Sequence, residues 1–122
     1  SAPGNPGNIY RPEDTQNFTA LMAEFRSQLD AVRPGLLLTA ATSAAQSKYS
    51  LIELKKVSKS LDWFNLMTYD FHVASEPATN LQANLYTARH DPSSPKYSVD
   101  DAVRGYLRAH VPADKIVVGL PF

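Results

Sequence analysis

Cysteine is absent from the sequence, which excludes disulfides, catalytic thiolates and cysteine-ligated metal sites. Net charge is absent as well, because twelve basic side chains balance twelve acidic ones. We therefore expect no nucleic-acid partner and no binding to an anionic membrane surface. No apolar run approaches the roughly 20 residues needed to cross a bilayer, and the first residues carry no signal-peptide pattern. These absences predict a soluble protein without an export address in this stretch.

Patterns that would bind metals or phosphates are missing too. The three histidines, His72, His90 and His110, show no metal-ligand spacing, and we interpret each as a surface or loop residue. No glycine-rich phosphate loop joins a predicted strand to its helix. We therefore predict neither a metal site nor a cofactor.

The apolar residues that are present predict three helices alternating with three strands. The helices are predicted from about residue 12 to 32, over 49–61 and over 98–112, and the strands over 36–41, 62–71 and 115–120. This order is typical of right-handed β-α-β units and a parallel sheet, with strands buried on both faces. A loop without sustained periodicity, residues 72–97, follows the second strand, and loops of this length are often functional.

The fold class that follows is α/β, and the predicted architecture is a partial (β/α)8 TIM barrel. A complete barrel of this type has roughly 250 residues, so the β-α units in these 122 residues make up about half of one. The first helix has no strand before it, and the chain ends in an apolar run. We therefore expect residues 1–122 to be an internal fragment of one longer catalytic domain. A doubly wound sheet is the alternative.

The strand predicted over 62–71 carries the candidate site at its carboxyl end. Side chains alternate along a strand, so one set lines the interior of a barrel and the other packs under its helices. The interior set is Trp63, Asn65, Met67 and Tyr69, and the helix-facing set is Phe64, Leu66 and Thr68. Asp70 comes where the strand opens onto the face that holds the active sites of barrel enzymes. Position alone makes it a site candidate, and a structural carboxylate is the alternative.

These residues resemble a known family. The segment N-L-M-T-Y-D-F-H at 65–72 is similar to the sixth-strand signature of family 18 glycoside hydrolases, the chitinases. The segment R-P-E-D-T-Q-N-F-T-A-L at 11–21 resembles the helix after their catalytic strand, and D-K-I-V-V-G-L-P-F at 114–122 resembles their seventh strand. The resemblance implies the fifth, sixth and seventh strands of a chitinase barrel, with chitin or a chito-oligosaccharide as substrate.

The resemblance also implies retaining hydrolysis of β-1,4-linked N-acetylglucosamine polymers, with the sugar's own N-acetyl oxygen as nucleophile. This chemistry departs from the scheme of two protein carboxylates. Tyr69 and Asp70 are the implied catalytic residues, because the tyrosine would hold the acetamido group and the aspartate would contact the sugar. Both would also bind substrate, together with Met67 in the apolar floor. Because the substrate is a polymer, a secreted enzyme is expected.

Part of the family pattern is missing from this stretch. The family's general acid is a glutamate on the preceding strand, and none of the four glutamates here lies in such a motif. Val73 stands where the family commonly has glycine, and the following loop lacks a frequent tryptophan, so no binding roles are assigned within 75–86. The stretch alone is expected to be inactive.

Two alternatives belong to other functional classes. A non-catalytic, lectin-like member of the same fold would bind chitin-type sugars without hydrolysis, and the residue that ends the preceding strand distinguishes it from an enzyme. A half-barrel could instead act by interaction, because unpaired strand edges seek partners and promote self-association.

Overall fold

The computed structural model describes residues 5–122 and has the predicted alternation of helices and parallel strands. In chain order the elements are α1 (Asp14–Val32), β1 (Thr39–Ser43), α2 (Gln46–Tyr49), α3 (Leu54–Val57), β2 (Trp63–Met67), α4 (Val99–Arg108), a 3-10 turn (Ala113–Lys115) and β3 (Ile116–Val118). The Pro/Gly/Asn-rich start of the chain, residues 1–8, is predicted to be a loop, and its residues 1–4 lie outside the described part.

Strand β2 is the centre of a three-stranded parallel sheet in the order β1-β2-β3. The predicted helix-facing side chains Phe64, Leu66 and Thr68 are at most 1% exposed. Tyr106 of α4 packs against Phe64 edge to face, with ring centroids 5.7 Å apart. The alternate set, which begins at Trp63, stays partly open. The predicted division of the strand into two faces is therefore confirmed.

Strand β1 is later in the chain than predicted and is buried on one face. The prediction was 36–41, and the strand is Thr39–Ser43. Thr42 on the covered face is 4% exposed, whereas Leu37, which precedes the strand, is 63% exposed. Burial on both faces is thus a wrong prediction for β1. Within residues 5–122 the helices cover one face of the sheet, and the other face keeps its apolar side chains open.

The prediction of one helix over 49–61 is also wrong, because the two short helices α2 and α3 replace it. Tyr49 ends α2 and packs against α4, where a Cβ at Gly105 would clash with its hydroxyl oxygen. The Leu51 carbonyl accepts a hydrogen bond from Thr15 Oγ1 of α1 at 2.8 Å, which ties the bend between the two helices to α1. The apolar positions of the second half are nevertheless buried as predicted, namely Leu54, Val57 and Leu61.

Helix α1 is held by part of its predicted apolar stripe, with Met22 in the core and Phe18 packed against it, and by polar contacts. Met22 is 7% exposed, but Phe25 is 47% and Val32 is 79% exposed. Arg26, which lies off the apolar stripe, donates to the Leu36 carbonyl at 2.8 Å and to Asp62 at 3.3 Å. The same aspartate accepts from the Leu38 amide at 2.6 Å. These bonds join α1, β1 and β2 at the amino end of the sheet, opposite the candidate site.

The predicted third helix is confirmed in α4, which Ser98 caps by accepting from the Asp101 amide at 3.1 Å. Its Tyr106 is fully buried and donates its hydroxyl proton to the Ser43 carbonyl at 2.9 Å. Burial raises the pKa of Tyr106 from 10.0 to about 12. The Tyr106 hydroxyl therefore stays neutral and binds α4 to the carboxyl end of β1.

This burial predicts a loss of stability in alkali. The folded-state pKa lies above the unfolded-state value, so the contribution of Tyr106 is complete below pH 10 and falls as the pH rises from 10 to about 12. Tyr106→Phe should be less stable by about 1 kcal/mol at pH 7, because the Ser43 carbonyl loses its donor. We expect the difference between the two proteins to shrink above pH 10. Urea unfolding at pH 7, 10 and 11 measures it, and a constant difference would contradict the prediction.

Candidate functional site

The site begins where the chain leaves β2. Gly119, just after β3, donates its amide to the Leu66 carbonyl at 2.9 Å, and its carbonyl accepts from Thr68 Oγ1 at 2.7 Å. These bonds extend the pairing of the two strands by one step. Asp70 then has a φ of 54°, in the left-handed region that aspartate tolerates better than most residues. Strand β2 ends at Met67, earlier than the end predicted at residue 71. At Asp70 the chain turns out over the carboxyl end of the sheet.

A cavity of about 300 Å³ lies at this end of the sheet. It is lined by all three predicted site residues and by six others, namely Ser43, Ala44, Ala45, Met67, Tyr69, Asp70, Phe71, Glu76 and Tyr97. Ser43 at the end of β1 and the two alanines that follow it contribute small side chains to this lining. The structure thus brings Met67, Tyr69 and Asp70 together.

The ring of Tyr69 packs closely against Gly119. A Cβ on Gly119 would lie 2.9 Å from Cε1 of the Tyr69 ring and 2.6 Å from the Leu66 carbonyl oxygen. The φ of Gly119 is not positive, so the close approach of β2, and not the backbone conformation, requires glycine here. Within residues 5–122 the Tyr69 hydroxyl makes no hydrogen bond, which leaves it available to a ligand.

The cavity is acidic. Asp70 and Glu76 contribute carboxyl groups, and no lysine or arginine is among the nine lining residues. Glu76 is 2.8 Å from Nδ1 of His72, a pair that carries opposite charges when the imidazole is protonated. His72 lies in the loop, as predicted, but its side chain is only 8% exposed and its ring lies beside Tyr97, with centroids 6.2 Å apart.

Gln82 in the long loop after β2 makes two hydrogen bonds to the end of that strand segment. Gln82 Nε2 donates to Asp70 Oδ1 at 2.7 Å, and the Gln82 carbonyl accepts from the Phe71 amide at 2.9 Å. Further along, hydrogen bonds from Ser93 and Asn80 lower the pKa of Asp91 from 3.8 to about 2. This aspartate therefore stays ionised at neutral pH and ties two distant parts of the loop together.

Sequence reasoning missed four residues of the site. Glu76, Gln82 and Tyr97 lie in the loop, whose composition carries no period that would order it. Gly119 follows a strand, where a single glycine is weak evidence for a close approach. The signal that could have indicated Gly119 is its position directly after the neighbouring strand β3, level with the end of β2.

The described residues offer neither a metal centre nor a membrane span. Residues 5–122 contain no group of three or more His, Cys, Asp or Glu side chains that could hold a metal ion. No helix in the same range combines the length and apolar character that a bilayer crossing requires. The cavity therefore has to be understood through its own side chains.

Comparisons with known proteins point in one direction. The family model described as "Glycosyl hydrolases family 18" matches residues 2–122. The chain is 38% identical to Chitinase A1 of Niallia circulans, over 98% of this chain and 18% of that protein. Its structure is similar to chitinase ChiA74 from Bacillus thuringiensis, with a TM-score of 0.91, 44% identity and coverage of 96% of this chain and 20% of that one.

A sugar complex is among the similar structures. A mutant of catalytic domain 2 of the Ostrinia furnacalis group II chitinase was solved with penta-N-acetylchitooctaose (NAG)5. It matches with a TM-score of 0.84 and 32% identity, over 92% of this chain and 29% of that one. The chain thus spans less than a third of the length of each of these three relatives.

Proposed function

Because this chain belongs to glycosyl hydrolase family 18, we propose that it is a segment of the catalytic domain of a chitinase. In this proposal residues 1–122 supply the fifth, sixth and seventh strands of a (β/α)8 barrel, which β1, β2 and β3 represent. The parallel order β1-β2-β3 supports this assignment, as does the cavity at the carboxyl ends of the strands, the end at which barrel enzymes carry their sites.

The proposed reaction uses the substrate as its own nucleophile. The acetamido oxygen of an N-acetylglucosamine unit attacks the anomeric carbon, the glycosidic C–O bond breaks, and the leaving oxygen takes a proton from a glutamic acid. Water then opens the oxazolinium ion with net retention. The Tyr69 hydroxyl holds the acetamido group in line for attack, because orientation of a bound nucleophile supplies much of the rate. The unbonded state of this hydroxyl supports the role.

Charge supports the same reaction. The transition state carries positive charge at the anomeric centre, and preorganised negative groups around it lower the barrier. Asp70 supplies this potential while it binds the sugar, and Glu76 adds to it from the loop side. Met67 is 39% exposed and forms part of the apolar floor under the sugar ring. No cofactor takes part.

We propose that the general acid comes from another segment of the enzyme, since none of the four glutamates stands in the family's acid motif. Glu24 lies in α1, Glu13 and Glu53 directly precede α1 and α3, and none of the three lines the cavity. The chain alone is therefore expected to bind weakly and to catalyse little. The parent enzyme is expected to be secreted, because its polymeric substrate lies outside the cell.

The observation that carries the proposal is the meeting of Met67, Tyr69 and Asp70 around one cavity. The test compares two chromogenic oligosaccharides of equal length with the full-length enzyme. One is a chito-oligosaccharide, and the other is a cello-oligosaccharide, which has a hydroxyl in place of each acetamido group. We expect hydrolysis of the first and no detectable hydrolysis of the second, because the cello-oligosaccharide lacks the nucleophile.

The outcomes of this assay separate the alternatives. Hydrolysis of both oligosaccharides at similar rates would contradict the substrate-assisted mechanism. Binding of the chito-oligosaccharide by calorimetry without any hydrolysis would favour the lectin-like alternative. If the chito-oligosaccharide is neither bound nor hydrolysed, the sugar site itself is rejected.

A further inference from the structure

We infer that Gln82 is a positioning residue for Asp70, one that orients the aspartate carboxylate toward the bound sugar. The inference rests on the proposed function, because the orientation of Asp70 matters to catalysis when the cavity binds substrate. It adds a residue from the long loop, which the sequence left without a role, to the machinery of the site.

Two hydrogen bonds place Gln82. Its carbonyl accepts from the Phe71 amide at 2.9 Å, which fixes the distance between the loop and the end of β2. Its side-chain amide donates to Asp70 Oδ1 at 2.7 Å. One loop residue therefore holds two consecutive residues at the point where the strand has ended.

Asp70 needs such a partner. With a φ of 54° it lies outside the strand ladder, and its exposed side chain can rotate about its torsions unless something binds it. Within residues 5–122 its carboxylate has no hydrogen-bond partner except Gln82. The amide occupies Oδ1 and leaves Oδ2 for a sugar hydroxyl.

The chemistry of the partner suits the task. An arginine or lysine in this place would pair with the carboxylate and offset its negative charge. A glutamine amide is neutral, so it orients the carboxylate and leaves the negative potential intact. That potential is what Asp70 is proposed to supply to the cationic transition state.

The test is a double-mutant cycle in the full-length enzyme with a chromogenic chito-oligosaccharide. Gln82→Leu keeps the backbone bond to Phe71 and removes the side-chain donor, and we expect kcat to fall roughly tenfold with little change in KM. Asp70→Ala should lower kcat by at least as much. In the double variant Gln82→Leu should have almost no further effect, because it acts through Asp70.

The chain offers a matched control. Gln28 on α1 is also exposed and makes the same kind of hydrogen bond, from its amide to the Glu24 carboxylate at 2.7 Å. Neither residue lines the cavity. Gln28→Leu should leave kcat and KM unchanged. A tenfold loss in this control would overturn the inference, because it would show that the loss reflects removal of any surface glutamine.

A second variant keeps the test independent of folding. Gln82→Glu preserves the shape of the side chain, but the new carboxyl group can donate a hydrogen bond to Asp70 only when it is protonated. Its kcat relative to wild type should rise as the pH falls from 7 to 5, whereas the ratio for Gln82→Leu should not rise, because leucine gains no donor at low pH. The other titratable groups lining the cavity are Tyr69, Glu76 and Tyr97, and these residues and His72 are the same in all variants.

The failures are distinguishable. If the wild-type enzyme does not cleave the chito-oligosaccharide, the proposed function is wrong. If it does, and the two substitutions multiply in the double variant or Gln82→Leu has the wild-type kcat, then the positioning role is wrong and the proposed function stands. A Gln82→Glu ratio that is independent of pH also overturns the positioning role.

Discussion

Tyr69→Phe is expected to lower kcat on a chito-oligosaccharide about 100- to 1,000-fold, with KM changed far less. The phenylalanine ring fits the same place against Gly119, so the variant removes one hydroxyl and keeps the packing. That hydroxyl makes no hydrogen bond within residues 5–122, and its loss leaves no buried group of the described chain without a partner. The whole effect is therefore expected in catalysis and not in stability. Steady-state kinetics of the full-length enzyme measure it.

A second tyrosine provides the control for this prediction. Tyr86 is 64% exposed in the loop after β2 and does not line the cavity. Tyr86→Phe removes the same atom from a place where the proposed reaction does not need it, so its kcat should equal that of the wild type. A wild-type rate in Tyr69→Phe would reject the role of Tyr69 in holding the acetamido group.

Gly119→Ala is the other substitution with a large expected effect. The new methyl group would lie 2.6 Å from the Leu66 carbonyl oxygen and 2.9 Å from the Tyr69 ring, so either β3 or Tyr69 has to shift. Overpacking of this kind costs about 1–3 kcal/mol of unfolding free energy. A displaced tyrosine should also lower kcat about 100-fold, since misplacement by about 1 Å costs this much. Urea unfolding and steady-state kinetics measure the two effects separately.

Gly35→Ala separates the loss of stability from the loss of catalysis. Gly35 has a φ of 85°, which alanine adopts poorly, and no atom within 4 Å of the added Cβ. It lies between α1 and β1, at the amino end of the sheet. This variant should be destabilised and keep the wild-type kcat. Equal losses of kcat in both glycine variants would show that Gly119 acts through stability alone.

Most of the site motif was predictable because it lies on one continuous segment. Met67, Tyr69 and Asp70 stand within four consecutive positions, and the alternation of a strand decides which side chains share a face. The boundaries of the elements were less predictable. The bend at Leu51 depends on a hydrogen bond from α1, 36 positions earlier in the chain, and no local pattern contains that information.

The sequence by itself determined the family, the order of the elements, and the identity of the tyrosine and aspartate at the end of β2. These are properties of local periodicity and of one short motif. Only the tertiary structure decided what surrounds the pair: Gln82 lies 12 positions after Asp70 and binds its carboxylate, and Gly119 packs against the Tyr69 ring. The physical reason is that the fold creates these contacts, by pairing β3 with β2 and by folding the loop back over the strand end.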